Sequence, residues 1–442
     1  MGRQYPRPVI CIYEGDGLDR LSPTCDLRAA FDLRCGRFTL LEKLRRLYPA
    51  QPMLLWVRDE VAGITAEAYP DCRVNSRPDT EATKTRRTRN ESGCLFLSAT
   101  CILDDAVPTK GPEAVLMAGD EVVGFRVSEE RAAELESVRG LRADLAEEQV
   151  KARVVRWPWD VIEYNAAELL REVEVRSEKL DAGSQKSDEG RIEPGAAVVG
   201  DRKKLHMEPG SRVWPGTVIS TETGPVFIDR DAVVRPGSFV EGPCYIGPGT
   251  LIDGAKVRPG CSFGPQCRIG GEVEASIFQG HANKHHDGFI GHAFVGEWAN
   301  LGAMTTNSDL KNAYQPVEVM WQGKTIDTGL LKVGCFIGDH AKTAIGTLIN
   351  TGTRIGTFAN WFEPGLSPKE ITPFAWGSKT HWPLGHVISN ARKVMSRRRV
   401  ELSPAYEQAL RALYARCAGK TGTVPRSART RGTVPVFPEH GA

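Results

Sequence analysis

From Ile192 onward the chain returns an apolar residue to nearly every sixth position, and this period limits the fold more than any other feature. Val234, Val240, Ile246 and Ile252 are spaced by sixes, and Val257, Phe263 and Ile269 resume the count after a five-residue step. Turn sequences stand between them: R-P-G, I-G-P-G, V-R-P-G, F-G-P-Q and I-G-G-E, then I-G-H, V-G-E-W, L-G-A, V-G-C, I-G-D and I-G-T. Such a period gives each face of a triangular coil one hexad, aliphatics inward and turn residues at the corners. The expected fold is a left-handed parallel β-helix of about six or seven turns, each burying its core on the next. The period lapses at 276–289, 305–331 and 358–377. These breaks are expected to be surface insertions of the kind that carry function.

The first half has a different texture. Pro8–Tyr13 and Pro52–Val57 read as buried strands, and Leu40, Leu41, Leu44 and Leu47 have helical spacing. Strand, glycine loop, helix and strand open an α/β unit. The loop, G-D-G-L-D-R-L-S-P-T from Gly15 to Thr24, either cradles a phosphate with its backbone N–H groups or makes an ordinary tight turn. The basic run Thr83–Arg89 is a solvated loop or a nucleotide contact. Asp104 and Asp105, after L-F-L-S-A-T-C-I-L, are a turn pair or magnesium ligands. Helices are expected over Glu129–Gln149 and Ala166–Leu180, and D-A-G-S-Q-K-S-D-E-G reads as a linker.

A chain of 442 residues is long for one core, so the expected domains are 1–180, a linker at 181–190, a coil at 191–380, a helix at 381–418 and a disordered tail at 419–442. In the helix, R-K-V-M-S-R-R-R either packs at the end of the coil or contacts nucleic acid. The net charge of +2 gives no global bias toward nucleic acid or a membrane. No run approaches the ~20 apolar residues of a membrane span. The 11 cysteines are odd in number and never spaced C-x-x-C, which fits reduced thiols in a cytoplasm.

Four of the nine histidines fall between His281 and Asn307. A neutral imidazole can take the proton released when an amine attacks a thioester. His281, His285 and His292 leave metal binding open as an alternative.

Two resemblances add to this reading. Gly15, Gly17, Arg20, Leu21, Pro23 and Thr24 resemble the opening signature of sugar-nucleotide pyrophosphorylases, and W-P-W-D-V-I-E-Y-N at 157–165 looks like their shorter, divergent branch. The likeness implies a Rossmann-like nucleotidyltransferase domain. In it Gly15, Gly17 and Arg20 would hold a nucleoside triphosphate bridged by Mg²⁺. One extra residue precedes the arginine and the family's later Lys-Pro is missing, which leaves Arg28 or Arg34 as substitutes.

The repeat region resembles the acyltransferase half of the bifunctional N-acetylglucosamine-1-phosphate uridyltransferase and glucosamine-1-phosphate acetyltransferase family. His286, Phe289 and Gly291 carry the likeness, followed by Asn300-Leu301-Gly302-Ala303 and Thr305. By this resemblance His286 would be the general base, Asn300 would contact the acceptor or acetyl group, and Ala303 would lie along acetyl-CoA. Arg258 would hold the sugar phosphate, with Lys284 and Lys311 as further substrate-binding cations. The family's tyrosine is Phe289 here, and its lysine between Arg258 and the histidine falls in the acidic E-V-E-A-S-I. The resemblance also implies a homotrimer. Three readings follow: nucleotidyl transfer plus acyl transfer in sugar-nucleotide biosynthesis, acyl transfer alone, or a non-catalytic regulatory scaffold.

Overall fold

The computed structural model describes residues 9–49, 51–76, 93–135, 138, 145–177 and 190–420. The 83–89 run, nearly all of the 181–190 linker and the tail from 421 lie outside these residues.

The N-terminal domain is a seven-stranded sheet. Its elements are β1 (Ile10–Tyr13), α1 (Leu40–Leu47), β2 (Met53–Trp56), α2 (Asp59–Ala68), β3 (Arg73–Val74), β4 (Gly93–Ser98), β5 (Ala114–Ala118), β6 (Glu121–Ser128), α3 (Glu129–Glu134), β7 (Ala146–Gln149) and α4 (Pro158–Ser177). The strand order is β7-β5-β6-β4-β1-β2-β3, with β6 antiparallel to both neighbours and the other pairs parallel. Helix α1 begins at a capping box, in which Thr39 Oγ1 accepts from Glu42 N (3.2 Å) and Glu42 Oε2 accepts from Thr39 N (2.7 Å). The helix expected over Glu129–Gln149 is instead the six-residue α3 and the edge strand β7. Pairing of Ala146–Gln149 with Ala114–Met117 overrides the local preference of A-E-E-Q for helix.

The coil has three faces. The first is an eleven-stranded sheet running from Arg191–Ile192 to Thr380–His381, parallel except for its last strand. The second has six strands and the third nine. The coil is thus longer than the expected turns, because its first rungs step by 21 residues (Arg191 to Arg212 to Val233) and hide the count of sixes. Inward residues of the first face form a column in which Val213, Val234, Ile252, Ile269, Lys284 and Leu301 are all at most 2% exposed. Residues 276–289 do not leave the coil: Ile277–Phe278 and Asn283–Lys284 are ordinary rungs, and only the corner His285–Gly288 is widened. The second break does leave it, as a hairpin pairing Glu318–Trp321 with Lys324–Asp327.

The N-terminal domain docks on the third face, whose outward row is apolar. Ile277, Phe294 and Phe336 join the N-terminal core, and Phe227 and Tyr245 pack on Leu169 of α4. Within α4, Asn165 bridges the domains: its Oδ1 accepts from Gly36 N (2.6 Å) and Ser262 Oγ (3.0 Å), and its Nδ2 donates to Gly260 O (2.8 Å). The C-terminal helix is two helices, α5 (Leu384–Ser396) and α6 (Pro404–Lys420), broken at the arginine run. Helix α5 lies on the first face, where Lys342 Nζ donates to Asn390 Oδ1 (2.9 Å). Helix α6 reaches α2, with Ser403 Oγ donating to Glu67 (2.5 Å) and Arg416 pairing with Glu60 (3.1 Å). The buried side of α5 is Val387, Ile388, Ala391 and Met395, while Arg392, Lys393, Arg397 and Arg399 are exposed.

Candidate functional site

His286 stands at the corner between the first and second faces, with its side chain exposed. Three contacts fix that corner. Lys284 Nζ donates to His286 O at 2.6 Å, and Asp287 O accepts from Met304 N of the next rung at 2.7 Å. Gly288 has φ 126°, and a Cβ there would lie 2.2 Å from Thr305 O, so no side chain fits. The neighbouring His285 is held by Asp253, Nε2 to Oδ2 2.9 Å, with its ring 5.5 Å from that of His286. This bond is the leading reason the Asp253 carboxyl sits below its ordinary range. Among the described residues, no carboxylate pairs with His286, which leaves its imidazole available to a ligand.

The other histidines do not form a metal site. His281 pairs with Glu297 and His292 with Asp309, each at 2.8 Å, and they occupy the two other corners of the triangle. Among the described residues, no group of three His, Cys, Asp or Glu side chains comes together to hold a metal.

The remaining acyl-site expectations divide. Asn300 is exposed on the first face, where its Oδ1 accepts from Asn283 Nδ2 (2.8 Å). Ala303 lies one rung above His286, beside the exposed Met304. Arg258 is not a free phosphate ligand. It sits two rungs below Phe289–Gly291 and is neutralised by Glu241 (2.9 Å) and Glu272 (3.1 Å). Lys311 lies at the base of the hairpin, 3.4 Å from Glu318.

Lys284 is no substrate contact. It fills an inward position between Ile269 and Leu301, and burial pulls its pKa down to about 8. A buried ammonium is costly, and what it provides here is a fixed carbonyl at His286. The unfolded chain therefore binds more protons than the folded one between pH ~8 and ~10.5, and stability from this group rises with pH across that window. Lys284→Met is expected to be more stable than the parent at pH 7 by up to about 3 kcal/mol, a gap that closes toward pH 10. Paired denaturant titrations at both pH values check this, and a destabilised variant at pH 7 would contradict it.

In the N-terminal domain, Gly17 takes φ 84° at the start of a short turn of helix, Leu18–Leu21. Gly15 lies beside Tyr13 in ordinary contact. Arg20 is exposed, with its guanidinium 5.5 Å over the Trp157 ring. Both candidate substitutes for the missing lysine point into the coil. Arg28 is buried against Asp339 (2.8 Å) and Glu297 (3.3 Å), and the backbone of Arg34 donates to Gln279 (3.1 Å) while its guanidinium lies 5.4 Å over Tyr245. The hairpin leans on the same loop: Trp321 Nε1 donates to Asp19 O (3.3 Å) and Gln322 Nε2 to Asp19 Oδ2 (2.8 Å).

The strand order reverses at β1, and the crevice there is flanked by Glu14, Gly15, Ser98 and Thr100. Its carboxylate, Glu14, is paired with Arg58 (2.6 Å), and Asp104 is paired with Arg153 (2.9 Å) and Arg171 (3.2 Å). These residues, already paired with arginines, do not fit a preformed magnesium site.

Sequence reading missed Asp253, Asp309, Glu297 and Asn307, whose amide clamps both backbone groups of Gly291 (2.9 and 3.0 Å). A usable signal was the turn length. His281–Glu297, His292–Asp309 and Asn283–Asn300 are 16 or 17 residues apart, which is one circuit of the coil.

Fold and site together define a class: a nucleotidyltransferase-like α/β domain joined to a left-handed β-helix of hexapeptide repeats with an exposed corner histidine. Residues 10–180 match the family model described as sugar nucleotidyl transferase, in the half where the motifs are weaker. The chain is similar to the bifunctional sugar-1-phosphate nucleotidylyltransferase/acetyltransferase of Sulfurisphaera tokodaii, with 34% identity over 156 residues, 34% of this chain and 38% of that protein. It is also similar to the bifunctional protein GlmU of a Synechococcus species, with 28% identity over 276 residues, 62% of this chain and 54% of that protein. The alignments thus span between 38% and 54% of the length of these relatives. Among solved structures, an Arabidopsis UDP-N-acetylglucosamine acyltransferase aligns over 54% of this chain and 85% of its own, with 12% identity and a TM-score of 0.25.

Proposed function

We propose that this chain is a transferase of amino-sugar nucleotide biosynthesis whose coil moves the acetyl group of acetyl-CoA onto the amine of a sugar phosphate. The observation that carries the reading is His286, an exposed imidazole with no carboxylate partner on a corner pinned by Lys284, Met304 and Gly288. The amine nitrogen forms a bond to the thioester carbon, His286 takes the proton, and the carbon–sulfur bond breaks. The proton then passes to the leaving thiolate. Asn300 orients the acceptor, and Ala303 lines the path of the donor.

The same corner column supports a homotrimer. Met304 (55%), Ile345 (80%), Leu348 (44%) and Leu366 (59%) form an exposed apolar edge beside His286, the kind of surface a second coil covers. All eleven cysteines are free thiols, which suits a cytoplasmic setting. No helix among the described residues is long and apolar enough to cross a membrane.

Nucleotidyl transfer from a nucleoside triphosphate is the second activity in this reading, supported by the loop of Gly15, Gly17 and Arg20, in which Gly17 and Arg20 are exposed. The burial of Arg28 and Arg34 favours a domain that binds a sugar nucleotide without turning it over. One assay separates these outcomes: thiol release from acetyl-CoA with a panel of amino-sugar phosphates, run beside pyrophosphate release from nucleoside triphosphates with sugar 1-phosphates. Thiol release is expected. Pyrophosphate release alone would reduce the coil to a scaffold, and silence in both would favour the regulatory reading.

A further inference from the structure

The hairpin that leaves the coil brings a cation to the glycine loop of the N-terminal domain. Its turn is Gln322–Gly323, with φ 48° and 73°, and its register sets Trp321 directly opposite Lys324 and Val319 opposite Ile326. Opposed residues of an antiparallel pair share one face of the ribbon, as do residues two apart along a strand. Val319 is buried in the N-terminal core and Ile326 packs against it, so this face is the one turned to that domain. Lys324 belongs to the same face, at its rim, and is exposed. Besides the bonds from Trp321 and Gln322 to Asp19, Arg354 of the third face ties this rim to the loop. Its Nε donates to Ser22 O (3.2 Å) and its Nη1 to Met320 O (3.1 Å). Trp321 also meets the Trp157 ring edge-on, with centroids 5.5 Å apart, and the Arg20 guanidinium lies 5.5 Å over that same ring. Among the described residues, neither Lys324 nor Arg20 makes an ion pair.

A triphosphate on this loop meets Asp16 and Asp19, and Arg20 alone is a single charge against them. Arg28 and Arg34 are buried toward the coil and give no help. The Asp19 carboxylate is already engaged by the Gln322 amide, which the hairpin supplies. Opposed Cβ atoms in a hairpin are about 5 Å apart, and a lysine carries its charge on a flexible four-carbon stem. We propose that Lys324 completes the phosphate site of the glycine loop, holding from the coil side the phosphate oxygens that Arg20 holds from the loop side. The N-terminal site is then formed by both domains, and only with the hairpin docked. The lysine absent from the N-terminal half is replaced by one from the far half of the chain, as a point charge on phosphate. This inference rests on the reading of Gly15–Arg20 as a nucleotide site.

The test is isothermal titration of the full chain with inorganic triphosphate, for the parent and for Arg20→Gln, Lys324→Gln and Lys324→Arg, with melting curves to verify folding. Arg20→Gln and Lys324→Gln are each expected to weaken binding about tenfold or more, as loss of a charge-assisted contact does. Lys324→Arg keeps the charge and is expected to bind as the parent does. Lys379→Gln, at an exposed lysine in the last hairpin of the coil, is the control for general charge and is also expected to leave binding unchanged. Binding weakened by Arg20→Gln and untouched by Lys324→Gln would overturn this inference and leave the loop reading standing. Equal losses from Lys324→Gln and Lys379→Gln would also overturn it, as mere attraction of an anion to positive charge. A parent that binds no triphosphate would remove the loop reading itself, and this site with it.

Discussion

His286→Ala is expected to lower thiol release from acetyl-CoA about 100- to 10,000-fold, the usual contribution of a positioned general base. The loss should appear in kcat with KM for the donor little changed, because in the proposed reaction the imidazole acts on the amine proton and not on the thioester. Folding should be unaffected, since the side chain is exposed and the corner is held by backbone groups of His286, Asp287 and Gly288. Replacing His285 instead removes a ring already bonded to Asp253 and is expected to cost much less. If the two substitutions were equally damaging, the base would have to be sought elsewhere. The Asp309–His292 pair at another corner would then be the first candidate.

The second large effect concerns the joint between the domains. Arg28→Met is expected to destabilise the chain by about 3–5 kcal/mol, the cost of breaking a buried ion pair and stranding its partners. Asp339 is fully buried, and with Arg28 present its carboxyl is still pushed up to about 6, burial outweighing the arginine. Glu297 stays below its ordinary range, because His281 and Arg28 together overcome the burial that would raise it. Removing the guanidinium takes away the cation that pairs with both the Asp339 and the Glu297 carboxylates. Urea unfolding of parent and variant measures the difference. A change under about 1 kcal/mol would mean that the segment around Arg28 does not dock on the coil in this way.

Arg28 also shows where legibility in the sequence ended. It lies just past the Gly15–Thr24 stretch that resembles a phosphate-binding signature, and its residue type suits a triphosphate. The coil decides otherwise, placing Asp339 and Glu297 against it from 311 and 269 residues away. Arg258 tells the same story on a shorter scale: the neighbouring rungs bring Glu241 and Glu272 to it, and no local motif announces them. His286 remained legible because its exposure follows from local features, a widened corner and a glycine with no room for a side chain.

What the sequence by itself determined was the coil, the α/β opening and the corner histidine. Each rests on a short-range rule: a six-residue turn chemistry, an alternation of strand and helix, and a local loop. The tertiary structure alone decided which charges are free and which are spent, and that the N-terminal domain lies on the third face. The physical reason is that a solenoid stacks residues one circuit apart and a docked domain joins residues hundreds apart. Pair energies between them depend on distance and burial, which no window of sequence contains.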